Sequence, residues 1–224
     1  MISIVTGKPG TGKSYTLLLF AKEFLENGED VFANFRIDET KLQLTPKPIP
    51  LNRLLNLFRR LLRLKPLPES RALGTLYYWT DLKEFRQISE ANILMDEAQT
   101  YFSARRWKEM TIEDEIKFQQ HRKQGIDIYA GVQNMKRTDT VIRELAAVVF
   151  VMKRIGHLMI RKSFVPEDIE KAKRESLGIK IYWLNSKIAD AYNTRQMINT
   201  QVEDSAKSNF RRMDSLFDRA PLLF

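Results

Sequence analysis

Residues 7 to 14, Gly7-Lys8-Pro9-Gly10-Thr11-Gly12-Lys13-Ser14, set glycines, a lysine and a hydroxyl in the spacing G-x-x-x-x-G-K-[ST]. The chemistry open to such a set is phosphate binding. Its glycines let successive backbone N–H groups turn toward one anion and keep Cβ atoms out of the way. A helix starting at Ser14 adds its dipole and unpaired N–H donors. Lys13 supplies charge for β- and γ-phosphates, and the Ser14 hydroxyl suits Mg²⁺. The expected contacts to ATP are therefore Gly7, Pro9, Gly10, Thr11, Gly12, Lys13, Ser14 and the adjoining Tyr15.

A phosphate loop neither activates water nor fully holds a metal, so a second group is required. Asn92-Ile93-Leu94-Met95-Asp96-Glu97-Ala98 delivers two carboxylates at the end of an apolar run. Asp96 suits Mg²⁺, directly or through water, and Glu97 suits polarisation of an attacking water. The alternative is an acid pair capping the next helix. A kinase acting on a small molecule has no need of Glu97 there, whereas a hydrolase does. Gln133 ends another apolar run, where an amide can bridge a γ-phosphate and the lytic water; the plainer reading is a loop glutamine. For the transition-state charge Arg143 is the first candidate, reaching a neighbouring subunit's nucleotide, then Arg122, then Arg105; each is otherwise a surface arginine.

These groups need strands and helices to position them. The pattern predicts strands at Ile2–Thr6, Val31–Phe35, Leu76–Trp79, Ile93–Met95, Ile126–Val132 and Ala147–Met152. Helices are expected at 14–26, 81–89, 113–123 and 138–145, with Asn27-Gly28 closing the first. Strands alternating with helices imply an α/β fold with a mainly parallel central sheet flanked by helices. That core is expected over 1–153, with a basic helical insertion at about 40–68. A small α+β extension of the same domain is expected over 154–200: Leu158–Phe164 pairs back on the preceding strand, Pro166–Ser176 opens as a helix, and Ile179–Leu184 is a last strand. Residues 201–224 form a helix or tail.

Composition narrows the chemistry. With no Cys, thiol catalysis, disulfides and a thiolate metal site are excluded, and His121 and His157 as the only histidines speak against a zinc centre. No apolar run, Ala146–Met152 included, approaches the roughly 20 residues of a membrane helix. The amino terminus also lacks a signal-peptide core, so the expected location is cytoplasmic. The formal charge of +9 points to a polyanionic partner, but it is unevenly spread. Thr40 to Pro68 holds Lys41, Lys47, Arg53, Arg59, Arg60, Arg63 and Lys65 and no acid at all. Within it Leu51, Leu54, Leu55, Phe58, Leu61 and Leu62 recur at helical spacing between prolines. The segment is either a surface helix packing its leucines on the main domain, or a docking element for a partner, an acidic membrane or nucleic acid. Tyr77-Tyr78-Trp79 is a half-buried strand or, less simply, a base-stacking trio.

In three ordered blocks the chain resembles the ATPase domain of the zonula occludens toxin family, which includes filamentous phage assembly proteins and falls in the FtsK-HerA group of P-loop NTPases. The blocks are MISIVTGKPGTGKS, ILMDEAQTYFSAR from Ile93 to Arg105, and HRKQGIDIYAGVQ from His121 to Gln133 followed by Ile142-Arg143. Ala191-Tyr192-Asn193-Thr194 is a weaker fourth, similar to a Tyr-Asp-Thr pattern; the basic insertion lies outside them. The resemblance implies ATP hydrolysis coupled to extrusion of a single-stranded phage genome at the inner membrane, through a homo-oligomeric ring. It puts phosphate binding on Gly12, Lys13 and Ser14, and metal and hydrolysis on Asp96 and Glu97. Family members commonly continue into a transmembrane helix and an exterior region, neither of which follows here. Either these residues are a cytosolic domain cut from such a protein or they are a stand-alone soluble ATPase; in the latter case packaging of DNA, including double-stranded DNA, into a capsid is the alternative, with a non-motor switch or kinase the second. Phage assembly or membrane partners fall to the basic helix at 51–65, and nothing in these residues points to toxin activity.

Overall fold

Apolar residues on both faces of most strands dictate a sheet covered on both sides. The computed structural model describes residues 1–102, 112–135, 140–167 and 176–192. Its strands are β1 (Ile2–Thr6), β2 (Val31–Ala33), β3 (Leu76–Tyr78), β4 (Asn92–Met95), β5 (Asp127–Val132), β6 (Val148–Ile155), β7 (Leu158–Phe164) and β8 (Gly178–Trp183). They form one sheet in the order β3-β2-β4-β5-β1-β6-β7-β8. The run from β3 to β6 is parallel, and β7 and β8 add antiparallel. This is the α/β fold that the alternation of strands and helices implies. The carboxy-terminal strands extend the central sheet itself, with the β6–β7 turn made at Gly156 in the left-handed region.

Helices close both faces. On one side, α1 (Lys13–Asn27) and the short α7 (Ser186–Ala189) enclose Val5, Leu17, Leu18, Ala21, Leu25, Leu94, Tyr129 and Ile188. On the other, α4 (Leu82–Gln87), α5 (Ile112–Gln119) and α6 (Thr140–Leu145) cover Ile4, Ile93, Met95, Ile128 and Ala130 with Phe85, Phe118 and Ile142. Asp81 caps α4, accepting from the N–H groups of Lys83 and Glu84. Gly28, with φ 82°, ends α1, and its N–H donates to Leu25 O.

The differences from the sequence-based boundaries are local. β2 stops at Ala33 because the Asn34 side chain turns to the end of β4. β6 runs on to Ile155 because β7 pairs along it. α5 ends at Gln119, and residues 120–125 are turns leading into β5. Trp79 is fully buried and Tyr77 stacks on Phe32 at 4.7 Å, so this trio is strand and core. Most of the helix expected from Pro166 and all of the segment 201–224 lie outside the described residues.

The largest departure is in the insertion. After α2 (Glu39–Leu42), α3 (Pro50–Leu61) forms as its spacing predicts, with Pro50 in the first turn, yet none of its side chains is buried. The reading in which its leucines pack on the main domain is overturned: Leu51, Leu54, Leu57, Phe58 and Leu61 are all more than half exposed.

Lys117 is an unusual core residue. It is 5% exposed, and its ammonium donates to Arg86 O at 3.0 Å and to Ile88 O. Burial pushes its pKa down from 10.5 to about 8. Between those values the unfolded chain binds the proton that the native protein releases, so stability rises with pH across this window. Compared with Lys117→Met, the wild-type protein should gain of order 2 kcal/mol between neutral pH and about pH 10. Urea unfolding of both proteins at stepped pH measures that difference.

Candidate functional site

The parallel strands point their carboxyl ends to one edge, and the groups singled out from the sequence gather there. β5 lies between β1 and β4, with Thr6 opposite Val132 and Met95 opposite Ala130. Continuing each strand by a residue brings the phosphate loop, Gln133 and Asp96 side by side, at the edge where open α/β sheets bind ligands. A cavity of about 360 Å³ opens between them, lined by Pro9, Gly10, Gly12, Lys13, Ser14, Tyr15, Asp96, Glu97 and Gln133 among others.

The loop is wound tightly. Thr11 donates its N–H and its hydroxyl to Lys8 O, and Lys13 Nζ donates to Gly7 O at 3.1 Å and Lys8 O at 3.4 Å. Gly12, at φ 89°, begins α1, and a Cβ there would meet Met159 Cε at 1.9 Å. Only glycine combines that backbone with that contact. Tyr15 borders the cavity but also serves the fold: it stacks on Tyr182, and its hydroxyl accepts from Asn185 N–H.

Asp96 is 1% exposed. Its Oδ2 accepts from Ser14 Oγ at 2.5 Å and from the Tyr192 hydroxyl at 2.9 Å, and its Oδ1 accepts from Glu97 N–H at 2.9 Å. Burial pushes its pKa up and the Glu97 carboxylate adds to the rise; the hydrogen bonds from Ser14, Tyr192 and the backbone oppose it. Burial and the neighbouring Asp96 carboxylate push the Tyr192 hydroxyl up as well, so that it remains a proton donor. The convergence of the Ser14 hydroxyl with one carboxylate oxygen is an all-oxygen donor pair. It fits Mg²⁺, which takes few protein ligands and completes its shell from phosphates and water. Among the described residues no group of three His, Cys, Asp or Glu side chains gathers to hold another kind of metal.

Glu97 sits at φ 50° between strand and 3-10 turn, which turns its carboxylate toward Gln133. Gln133 Nε2 donates to both its oxygens, at 3.1 and 3.2 Å, and Gln99 Nε2 donates to Oε2. The acid pair is therefore not a helix cap: Glu97 makes no side-chain cap bond.

The arginines are placed differently. Arg143, on α6, donates to Thr140 Oγ1 and lines a separate cavity of about 490 Å³. Arg122 is exposed in the turns before β5, at the sheet edge opposite Gln133. Arg105 lies outside the described residues. Arg154, on β6, lines the phosphate cavity and was not singled out by its sequence position.

Asn34 and Gly131, like Tyr192, serve the site without a role marked by the motifs. Asn34 clamps the Asp96 backbone in both directions, donating to its carbonyl at 2.9 Å and accepting from its N–H at 2.7 Å. One polar residue inside Val31-Phe32-Ala33-Asn34-Phe35 was the available signal. Gly131 allows the carboxylate to lie against β5, since a Cβ there would stand 2.9 Å from Asp96 Oδ1.

A phosphate loop between β1 and α1, facing an acidic pair at the end of another parallel strand, defines a P-loop NTPase fold. The zonular occludens toxin (Zot) family model matches residues 1–200, and the chain belongs to that family. Among solved structures, the amino-terminal domain of zonular occludens toxin from Neisseria meningitidis is similar at 21% identity, with TM-score 0.53, over 86% of this chain and 98% of that one. The genome packaging NTPase of Sulfolobus turreted icosahedral virus 2, solved in complex with ATP-gammaS, is similar at 10% identity, with TM-score 0.49, over 82% of this chain and 97% of that one. At 21% identity the likeness to the first of these is one of fold. No curated protein matches significantly.

Asn34→Ala should leave the Asp96 backbone N–H and carbonyl unpaired in a dry setting, at about 1–3 kcal/mol for each group. The expected loss is roughly 2–6 kcal/mol in urea unfolding.

Proposed function

We propose that this chain hydrolyses ATP with Mg²⁺, and that as a homo-oligomeric ring it uses the hydrolysis to move DNA during filamentous phage assembly at the inner membrane. The observation carrying the hydrolytic part is the convergence of Lys13, Ser14, Asp96, Glu97 and Gln133 on one cavity. The assembly role rests on family membership and on the ordered sequence blocks.

In this reading the loop N–H groups and Lys13 hold the β- and γ-phosphates, and Lys13 exchanges its loop carbonyl contacts for phosphate oxygens. Ser14 and Asp96 are the residues that would hold Mg²⁺, which when bound neutralises phosphate charge. Glu97 accepts a proton from water as the water oxygen forms its bond to the γ-phosphorus. The bond from that phosphorus to the β–γ bridging oxygen breaks with its electron pair passing to ADP, giving ADP and inorganic phosphate. Gln133 orients Glu97 through its amide N–H and presents its amide oxygen to the same water. Arg143 stands outside the phosphate cavity of its own chain, and its role is assigned to the nucleotide of a neighbouring subunit.

Phosphate release from ATP should fall by at least ~100-fold in Lys13→Ala and in Glu97→Gln. Glu97→Gln should still bind ATP, because the cradle is untouched. Single-stranded DNA should raise the wild-type rate. Full hydrolysis by both variants sinks the catalytic assignment, and a rate indifferent to single- and double-stranded DNA sinks the motor reading alone.

A further inference from the structure

The basic hairpin built around α3 folds on its own hydrogen bonds, and it does so with its polar side. Asn52 Nδ2 donates to Pro68 O and Asn56 Nδ2 to Leu67 O, while Leu67 N–H donates to Asn56 Oδ1. Arg59 Nε donates to Lys65 O, and at the base Ile49 N–H donates to Glu69 O. The returning segment 65–69 therefore occupies the face carrying Asn52, Asn56 and Arg59.

The opposite face is left uncovered. At 100° per residue, Leu51, Leu54, Leu55, Phe58, Leu61 and Leu62 fall within an arc of about 120°. Their exposures run from 38% to 80%, and Leu57 beside them is 63% exposed. Arg53 and Arg60 follow beyond Leu57, between the apolar side and the face that holds the return segment. No other described element packs on the arc, since α3 has no buried residue.

Charge decides what fits such a face. The segment from Thr40 to Pro68 carries seven cations and no anion. A second copy meeting it through the leucines would bring two such clusters together. A nucleic-acid track would present cations on its contact face, whereas here the contact face is leucine and phenylalanine with arginines at its margin. A preformed helix, about 18 Å long at 1.5 Å per residue, is far too short to span a bilayer but suited to lie in its surface. Its apolar arc would enter the acyl boundary while flanking arginines meet anionic headgroups.

We propose that α3 and its return segment form a docking element for an anionic lipid surface, separate from the nucleotide site and independent of its chemistry. The intact chain should co-float with vesicles of equal parts phosphatidylglycerol and phosphatidylcholine and stay behind with phosphatidylcholine alone. Leu54→Asp with Phe58→Asp should weaken flotation at least ~10-fold. Arg53→Glu with Arg60→Glu and Arg63→Glu should do likewise, and added salt should weaken wild-type binding. Phe58→Trp should retain it. These side chains are exposed, so unchanged circular dichroism and melting should accompany each loss. Failure of the wild-type protein to float with anionic vesicles overturns the proposal. So does flotation unaffected by the double aspartate variant. A concentration-dependent dimer abolished by Leu54→Asp, or DNA binding lost on charge reversal but kept in the aspartate variant, overturns it if lipid binding is absent.

Discussion

A carboxylate taken out of water costs several kcal/mol unless hydrogen bonds replace what water gave it, and the architecture of this protein is organised around one such group. Asp96 is almost wholly enclosed, and Ser14, Asn34, Glu97 and Tyr192 together satisfy its side chain and backbone. Those residues come from the start of α1, the end of β2, the end of β4 and a point near the end of the described chain. None of the four stretches can shift alone without leaving a buried polar atom unpaired. The phosphate loop is thereby locked to the acidic strand, and Tyr192, beyond α7, draws the last part of the described chain to the same place.

The parallel sheet makes this locking possible with few contacts. Because β5 stands between β1 and β4 in register, groups that are distant in sequence sit at one height above the sheet edge. Gly131 then sets how near the carboxylate can come to that middle strand, and Gln133, two residues on, meets Glu97. Register decides which side chains meet, and small residues decide how closely.

What could be read beforehand followed the locality of the signal. The Gly7–Ser14 loop and Asn92–Ala98 are contiguous, and their strand-loop context was visible as apolar runs, so their convergence could be anticipated from the α/β pattern. Gln133 was legible for the same reason. Asn34 and Tyr192 were not given roles, because each acts through long-range hydrogen bonds that leave no periodic trace nearby. The hairpin shows the converse. The spacing of Leu51 to Leu62 foretold a helix, but spacing says that a face is apolar and not what it touches. The asparagines on the other face secure the return segment, and nothing in their type or spacing marks that role.

α1 joins two otherwise unrelated regions. Its first residues are the end of the phosphate loop. Near its last turn Glu26 accepts from Thr45, Glu26 O accepts from Lys47 N–H, and Asn27 O accepts from the Arg71 guanidinium, so both roots of the hairpin are fastened there. Fifteen residues make a rod about 22 Å long. A tilt of about 5° pivoting at the loop end would carry the far end through roughly 2 Å over that length. The helix is thus a rigid strut between the phosphate loop and the basic hairpin, and its length fixes how far apart the two are held.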